Sequence, residues 1–225
     1  MYSFRLLNAL FTCNPLATLS PYLPTIFNLL LHRMQETAKE NKKARYCRLF
    51  LHSLCVFSAV HGPQVLCQSL EALTNGLVSM LVMNIWPMNV ENLAGADDLE
   101  VKQTVVGATR LLTEAPLLTQ KPEVWISLLR STFPLMGSGG SNAGDQLHLG
   151  DEEAGGDGME FDSAYSKLAY ATIPPVDPCA DVDTSAIGAY FGQRMNAFLK
   201  TSPNMSAGIA QALSAEEQRE LQKLL

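Results

Sequence analysis

The chain has no basic surplus. In 225 residues, 16 Lys and Arg stand against 22 Asp and Glu, a formal net charge of −6. A nucleic-acid binder needs a basic face, so nucleic acid is excluded as the main partner. Long hydrophobic runs are missing too. The longest, from Leu49 to Val60, is interrupted by His52 and is too short to cross a bilayer, so no membrane insertion is expected. The five cysteines, Cys13, Cys47, Cys55, Cys67 and Cys179, are odd in number and include no Cys-x-x-Cys pair. That usage fits reduced, buried thiols better than a disulfide framework. The Asn204-Met205-Ser206 sequon is then a chance match, because glycosylation requires the secretory route. No signal-peptide layout follows Met1; Phe4, Leu6, Leu7 and Leu10 start a helical pattern at once, as in a fragment of a longer protein.

Signatures of chemistry are equally scarce. The tract GSGGSNAG from Gly137 to Gly144 has the glycines of a phosphate loop but no lysine and no preceding strand. A Gly-x-Ser-x-Gly elbow is absent. Cys47, His52, Cys55, His61 and Cys67 do not have the spacing of a zinc knuckle. DEEAGGDGMEFD, from Asp151 to Asp162, lacks the alternating ligands and closing glutamate of a calcium loop. The chain is therefore expected to be no enzyme and to carry no cofactor and no metal.

What is present is helical periodicity. In VKQTVVGATRLLTEAP, Val101, Val105, Ala108, Leu111 and Leu112 recur at steps of three and four, which places them on one stripe of a helix that Pro116 ends. Similar patterns run from Tyr2 to Phe11, after a Ser20-Pro21 start, through Leu49 to Phe57, from Gln64 to Leu73, from Leu77 to Ile85 with a kink at Pro87, and after Lys121-Pro122. Ile187, Tyr190, Phe191, Met195, Phe198 and Leu199 mark another helix, and Ser214 with Glu217 a capping box for a last one. One-sided helices joined by short turns predict an all-α fold, a solenoid of HEAT-type helical hairpins whose apolar faces are buried by stacking. A compact helical bundle is the alternative. Met80, Met83 and Met88, at near-helical spacing, are expected to fill the core.

Three regions follow. Residues 1–136 are expected to hold stacked hairpins, 137–160 a flexible Gly/Ser-rich and acidic loop, and 161–225 the capping helices of the same array. The acidity belongs to the stretch from Gly137 to Ser166: the rest of the chain, 15 acids against 16 bases, is near neutral. Asp151, Glu152, Glu153, Asp157 and Glu160 are the candidate partner-binding residues, an electrostatic strip for a basic partner.

Several segments, taken in order, resemble one family. FRLLNALF (Phe4 to Phe11), LLLHRMQ (Leu29 to Gln35), GATRLLTEAP (Gly107 to Pro116) and FDSAYSKLAYA (Phe161 to Ala171) are similar to the C-terminal part of the exportin-2 (CAS) family within the importin-β superfamily. Arg110 stands where the family has lysine and Ala115 where it has cysteine. The connection from Glu91 to Glu100 looks lengthened and the Gly/Ser tract looks inserted. The resemblance implies a HEAT-repeat superhelix and binding of importin-α together with Ran-GTP. It implies export of importin-α by a monomer that shuttles between nucleus and cytoplasm, with no catalytic residue. Such a segment, holding only the C-terminal arch, is expected to form no stable complex by itself.

Overall fold

Proline, glycine and asparagine cut the chain into short helices. The computed structural model describes residues 2–36, 43–137, 176–202, 205, 208–209 and 212–225, and every regular element among the described residues is helical. Helix α1 (Tyr2–Cys13) ends at Asn14-Pro15. Pro15, at φ −68° and ψ 150°, opens a single-turn helix α2 (Leu16–Leu19) that the sequence pattern does not announce. Ser20 therefore closes α2, its N–H on Leu16 O, and does not cap the next helix; α3 begins three residues later (Leu23–Glu36).

Helix α4 (Lys43–His61) stops at Gly62, whose φ of 94° favours glycine, and α5 (Pro63–Glu71) starts on the following proline. Gly76, at φ 81°, precedes α6 (Leu77–Met80). The Glu71 carboxylate caps α6 by accepting from the N–H groups of Gly76 (2.7 Å) and Val78 (3.0 Å). The expected bend at Pro87 takes a particular form. Leu81–Ile85 widens into a π-turn, with Trp86 N–H reaching back five residues to Leu81 O. A 3-10 turn (Pro87–Asn89) and the short α7 (Val90–Ala94) follow. Asp97 caps α8 (Asp98–Glu114) by accepting from Glu100 N–H. Pro116 starts α9 (Pro116–Thr119), and α10 (Pro122–Gly137) comes next. Beyond residue 175, a 3-10 turn (Thr184–Ala186) leads into α11 (Ile187–Thr201), and both halves of the expected capping box, Ser214 with Glu217, open α12 (Ala215–Leu224).

Packing follows a row. Helix α1 lies on α4, α4 on α8, α8 on α11, and α11 on α12. Residue pairs rise together along the chain. Phe4 meets Tyr46, Asn8 meets His52 and Phe11 meets Phe57; Arg48 meets Glu100, His52 meets Gln103 and Ala59 meets Arg110. These neighbours are therefore parallel. Between them run helices in the opposite sense: Trp125 and Phe133 of α10 meet Phe198 and Phe191 of α11, an antiparallel pairing. Helices that alternate in direction and stack like with like form a helical solenoid, and that is the fold of this chain.

The two central helices differ from the one-sided pattern. Leu49–Ser58 of α4 and Val101–Thr109 of α8 are buried on every side. Lys102, Gln103, Thr104 and Thr109, which the single stripe leaves for solvent, are inside because α4, α10 and α11 all pack on α8. At the crossing of α4 and α8 the backbones nearly touch: a Cβ on Gly107 would stand 2.3 Å from Cys55 O. Phe11, Phe27 and Phe57 form an edge-to-face cluster at one end of the core, and Trp125 at the other donates its ring N–H to Leu112 O at 2.7 Å.

Candidate partner surface

The five acidic candidates, Asp151, Glu152, Glu153, Asp157 and Glu160, lie outside the described residues, as do the Gly/Ser tract beyond Gly137 and the segment Phe161 to Ala171. The described chain resumes at Val176. Val176 is exposed; Asp177, one residue on, is half-buried and makes the densest polar node of the fold.

That node is built from α8 and a short strap, residues 176–183. Lys102, buried on α8, donates to Asp177 Oδ2 and, at 3.0 Å, to Val182 O. Gln103 Nε2 donates to Asp177 Oδ1 (3.0 Å), and Cys179 N–H donates to the same oxygen (3.0 Å). Because the Gln103 amide nitrogen faces Asp177, its Oε1 faces α4, where His52 Nε2 donates to it at 2.9 Å. His52 Nδ1 is then left to accept from Asn8 Nδ2 of α1 at 3.4 Å. A polar line thus crosses the row from α1 through α4 and α8 to the strap. Burial pushes the Asp177 carboxyl up, but hydrogen bonds from Lys102, Gln103 and Cys179 N–H, with the Lys102 charge, hold it below its ordinary value.

The thiols near this node are inert. Burial, with the Cys179 thiol beside it, drives the Cys55 pKa far above its ordinary value. Burial and the Asp177 charge push Cys179 up to about 12. Cys47 and Cys67 are buried as expected, while Cys13, at the end of α1, is exposed. His52 and His61 are engaged by hydrogen bonds, His61 Nε2 with Phe11 O at 2.8 Å. Among the described residues no three His, Cys, Asp or Glu side chains converge as metal ligands. No described helix is long and apolar enough to cross a membrane.

A second polar group joins the far end of the row. Arg110 donates to Ala59 O and, at 3.2 Å, to Glu114, and Arg194 of α11 lies 3.6 Å from the same carboxylate and 5.7 Å from the Tyr190 ring centroid. Both charged residues of GATRLLTEAP are therefore spent on tying α8 to its neighbours.

The exposed apolar surface corrects the expectation for methionine. Met80, Met83 and Met88 are 36%, 44% and 78% exposed and are not core filler. They flank and lie within the π-turn, on the side away from buried Trp86. Leu6 and Leu10 of α1, with Tyr22 and Leu29 at and on α3, are exposed as well. A cleft of about 240 Å³ between α5 and α9 is lined by Gln64, Gln68, Glu71, Leu117 and Gln120 among others. Its glutamate already caps α6. Flexible thioethers and amide side chains suit adaptable protein contacts.

Known proteins share this arrangement. Residues 1–224 match the family described as CAS/CSE protein, C-terminus. Exportin-2 of Pagrus major is 27% identical over 182 residues, which cover 79% of this chain and 18% of that protein. Exportin-2 of Homo sapiens is 27% identical over 178 residues, 78% of this chain and 17% of its own length. The solved structure titled "The exportin Cse1 in its cargo-free, cytoplasmic state" superposes with a TM-score of 0.67 at 22% identity, over 94% of this chain and 21% of that one. This chain thus spans about a fifth of the length of the relatives it matches.

Proposed function

This chain belongs to the CAS/CSE family, and from that premise we propose that it is the C-terminal segment of a nuclear transport receptor that binds importin-α together with Ran-GTP and carries importin-α from nucleus to cytoplasm. The observation that supports this is the family match over residues 1–224 on a chain that folds as a helical solenoid. In this reading residues 1–136 are stacked hairpins, 137–160 an acidic contact loop and 161–225 the closing helices. Binding is by surface complementarity, the receptor hydrolyses nothing, and it works as a shuttling monomer. Asp151, Glu152, Glu153, Asp157 and Glu160 meet a basic stretch of the partner.

The test is a pull-down with importin-α, with and without Ran-GTP. Two baits are used: this chain, and an exportin-2 in which this chain replaces the matching C-terminal segment. The chimaera is expected to capture importin-α only with Ran-GTP, and the chain alone to form no stable complex. A chimaera that is folded by circular dichroism yet captures nothing overturns the reading. Replacing the five acids by Asn and Gln in the chimaera is expected to weaken capture, most at low salt; unchanged capture removes the acidic strip from the interface.

A further inference from the structure

The strap has a core of its own. Cys179 and Val182 pack with Val106, and against Ala59 and Tyr190, in a cluster separate from the main hydrophobic core. Among the described residues, the side chains of other elements that hydrogen-bond residues 177–182 are two on α8, Lys102 and Gln103. The element that follows is independently fixed: Ile187 and Phe191 of α11 belong to the main core, and Asp183 caps the 3-10 turn before them by accepting from Ser185 N–H. A small apolar cluster, one carboxylate node and a capped turn downstream are the makings of a unit that opens by itself.

We infer that the strap is an intramolecular latch. It is locked by the Asp177 carboxylate on Lys102 and Gln103, and it opens as a unit while the helical stack stays folded. Closed, it covers Val106 and sets Cys179 beside Cys55. Open, it solvates Lys102 and releases Cys179. The latch does not depend on the proposed transport activity, and its test needs no partner.

The chain's own cysteines report on it. Cys179 is buried under the latch, Cys47 is buried in α4 on the main core, and Cys13 is exposed. The intact chain is treated with a maleimide in native buffer, and labelling at each cysteine is followed by peptide mass spectrometry. Cys13 is expected to react first, then Cys179, with Cys47 protected longest. Asp177→Asn and Lys102→Met are each expected to speed Cys179 labelling roughly ten- to a hundredfold, the effect of losing charge-assisted hydrogen bonds from a local opening, and to leave Cys47 unchanged. Amide exchange of wild-type protein tests the same point without a variant: Cys179 and Val182 N–H should exchange well before the amides of α8. Labelling of Cys179 and Cys47 at one common rate, or strap amides as slow as those of α8, overturns the latch.

Discussion

Gly107 has no room for a side chain. A Cβ there would meet Cys55 O at 2.3 Å and Cys55 Cα at 2.5 Å, backbone atoms of a helix buried on all sides. In an exposed helix, alanine would gain about 1 kcal/mol over glycine. Here overpacking against a fixed backbone costs roughly 1–3 kcal/mol or more, so Gly107→Ala is expected to destabilise the chain by about 2 kcal/mol net, read as a lower urea midpoint. Gly95→Ala is the control: its Cβ would lie 3.4 Å from Glu91 O, an ordinary contact, and its effect should stay within about 0.5 kcal/mol. A larger loss at Gly95 than at Gly107 would show that helix crossing is not what the glycine serves. Neither glycine's packing role is readable in the sequence: Gly107 lies off the apolar stripe and is seen there only as the start of GATRLLTEAP. Lys102 and Gln103 were hidden for a related reason. Their partners lie 75 and 74 positions away at Asp177, and periodicity cannot see a long-range carboxylate.

Helix α12 illustrates what was legible and what was not. Ser214 and Glu217 stand at capping-box spacing, and the box forms. The same carboxylate also accepts from Arg130 Nε of α10 at 2.8 Å, an 87-residue reach, and Arg130 Nη2 donates to Ala212 O at 2.8 Å, an 82-residue reach; no local pattern shows either. Burial pushes the Glu217 carboxyl up, but hydrogen bonds from Arg130, Ser214 N–H and the Ser214 hydroxyl bring it below its ordinary value. A carboxylate depressed in the folded state stabilises above its unfolded value and loses that contribution as pH falls through the folded one. Protection of the α12 amides should therefore weaken as pH drops below about 4.5. Glu217→Gln and Arg130→Leu should each flatten that dependence. A profile as steep in both variants as in wild type would assign the titration elsewhere. The run from Leu77 to Ala94 shows the opposite limit. Its helical pattern was legible, but the π-turn shifts the phase of every side chain after it, so a regular helical spacing does not place Met88.

At the scale of the whole molecule the row α1–α4–α8–α11–α12 behaves as a chain of neighbours. Stability in such an array is set by each helix and by the interface with the next, so damage spreads only as far as the coupling allows. The alternation of helices between short breakers made the solenoid readable from sequence; the parallel register, with Arg48, His52 and Ala59 facing Glu100, Gln103 and Arg110, required the structure. The two ends of the row also differ. Helix α12 shows solvent Glu216, Arg219, Glu220 and Lys223, whereas α1 shows it Leu6 and Leu10. Leu221 is the one buried residue of α12, and Leu221→Ala should cost about 2–4 kcal/mol at that interface. Because α12 packs on α11 and is tied to α10 through Arg130, amide exchange should rise in α12, less in α11, and not at all in α1 or α4. Gly107→Ala, placed at the centre, should raise exchange on both sides of the crossing. If Leu221→Ala instead unprotects α1 as strongly as α12, the chain unfolds as one cooperative block and the nearest-neighbour picture of this stack is wrong.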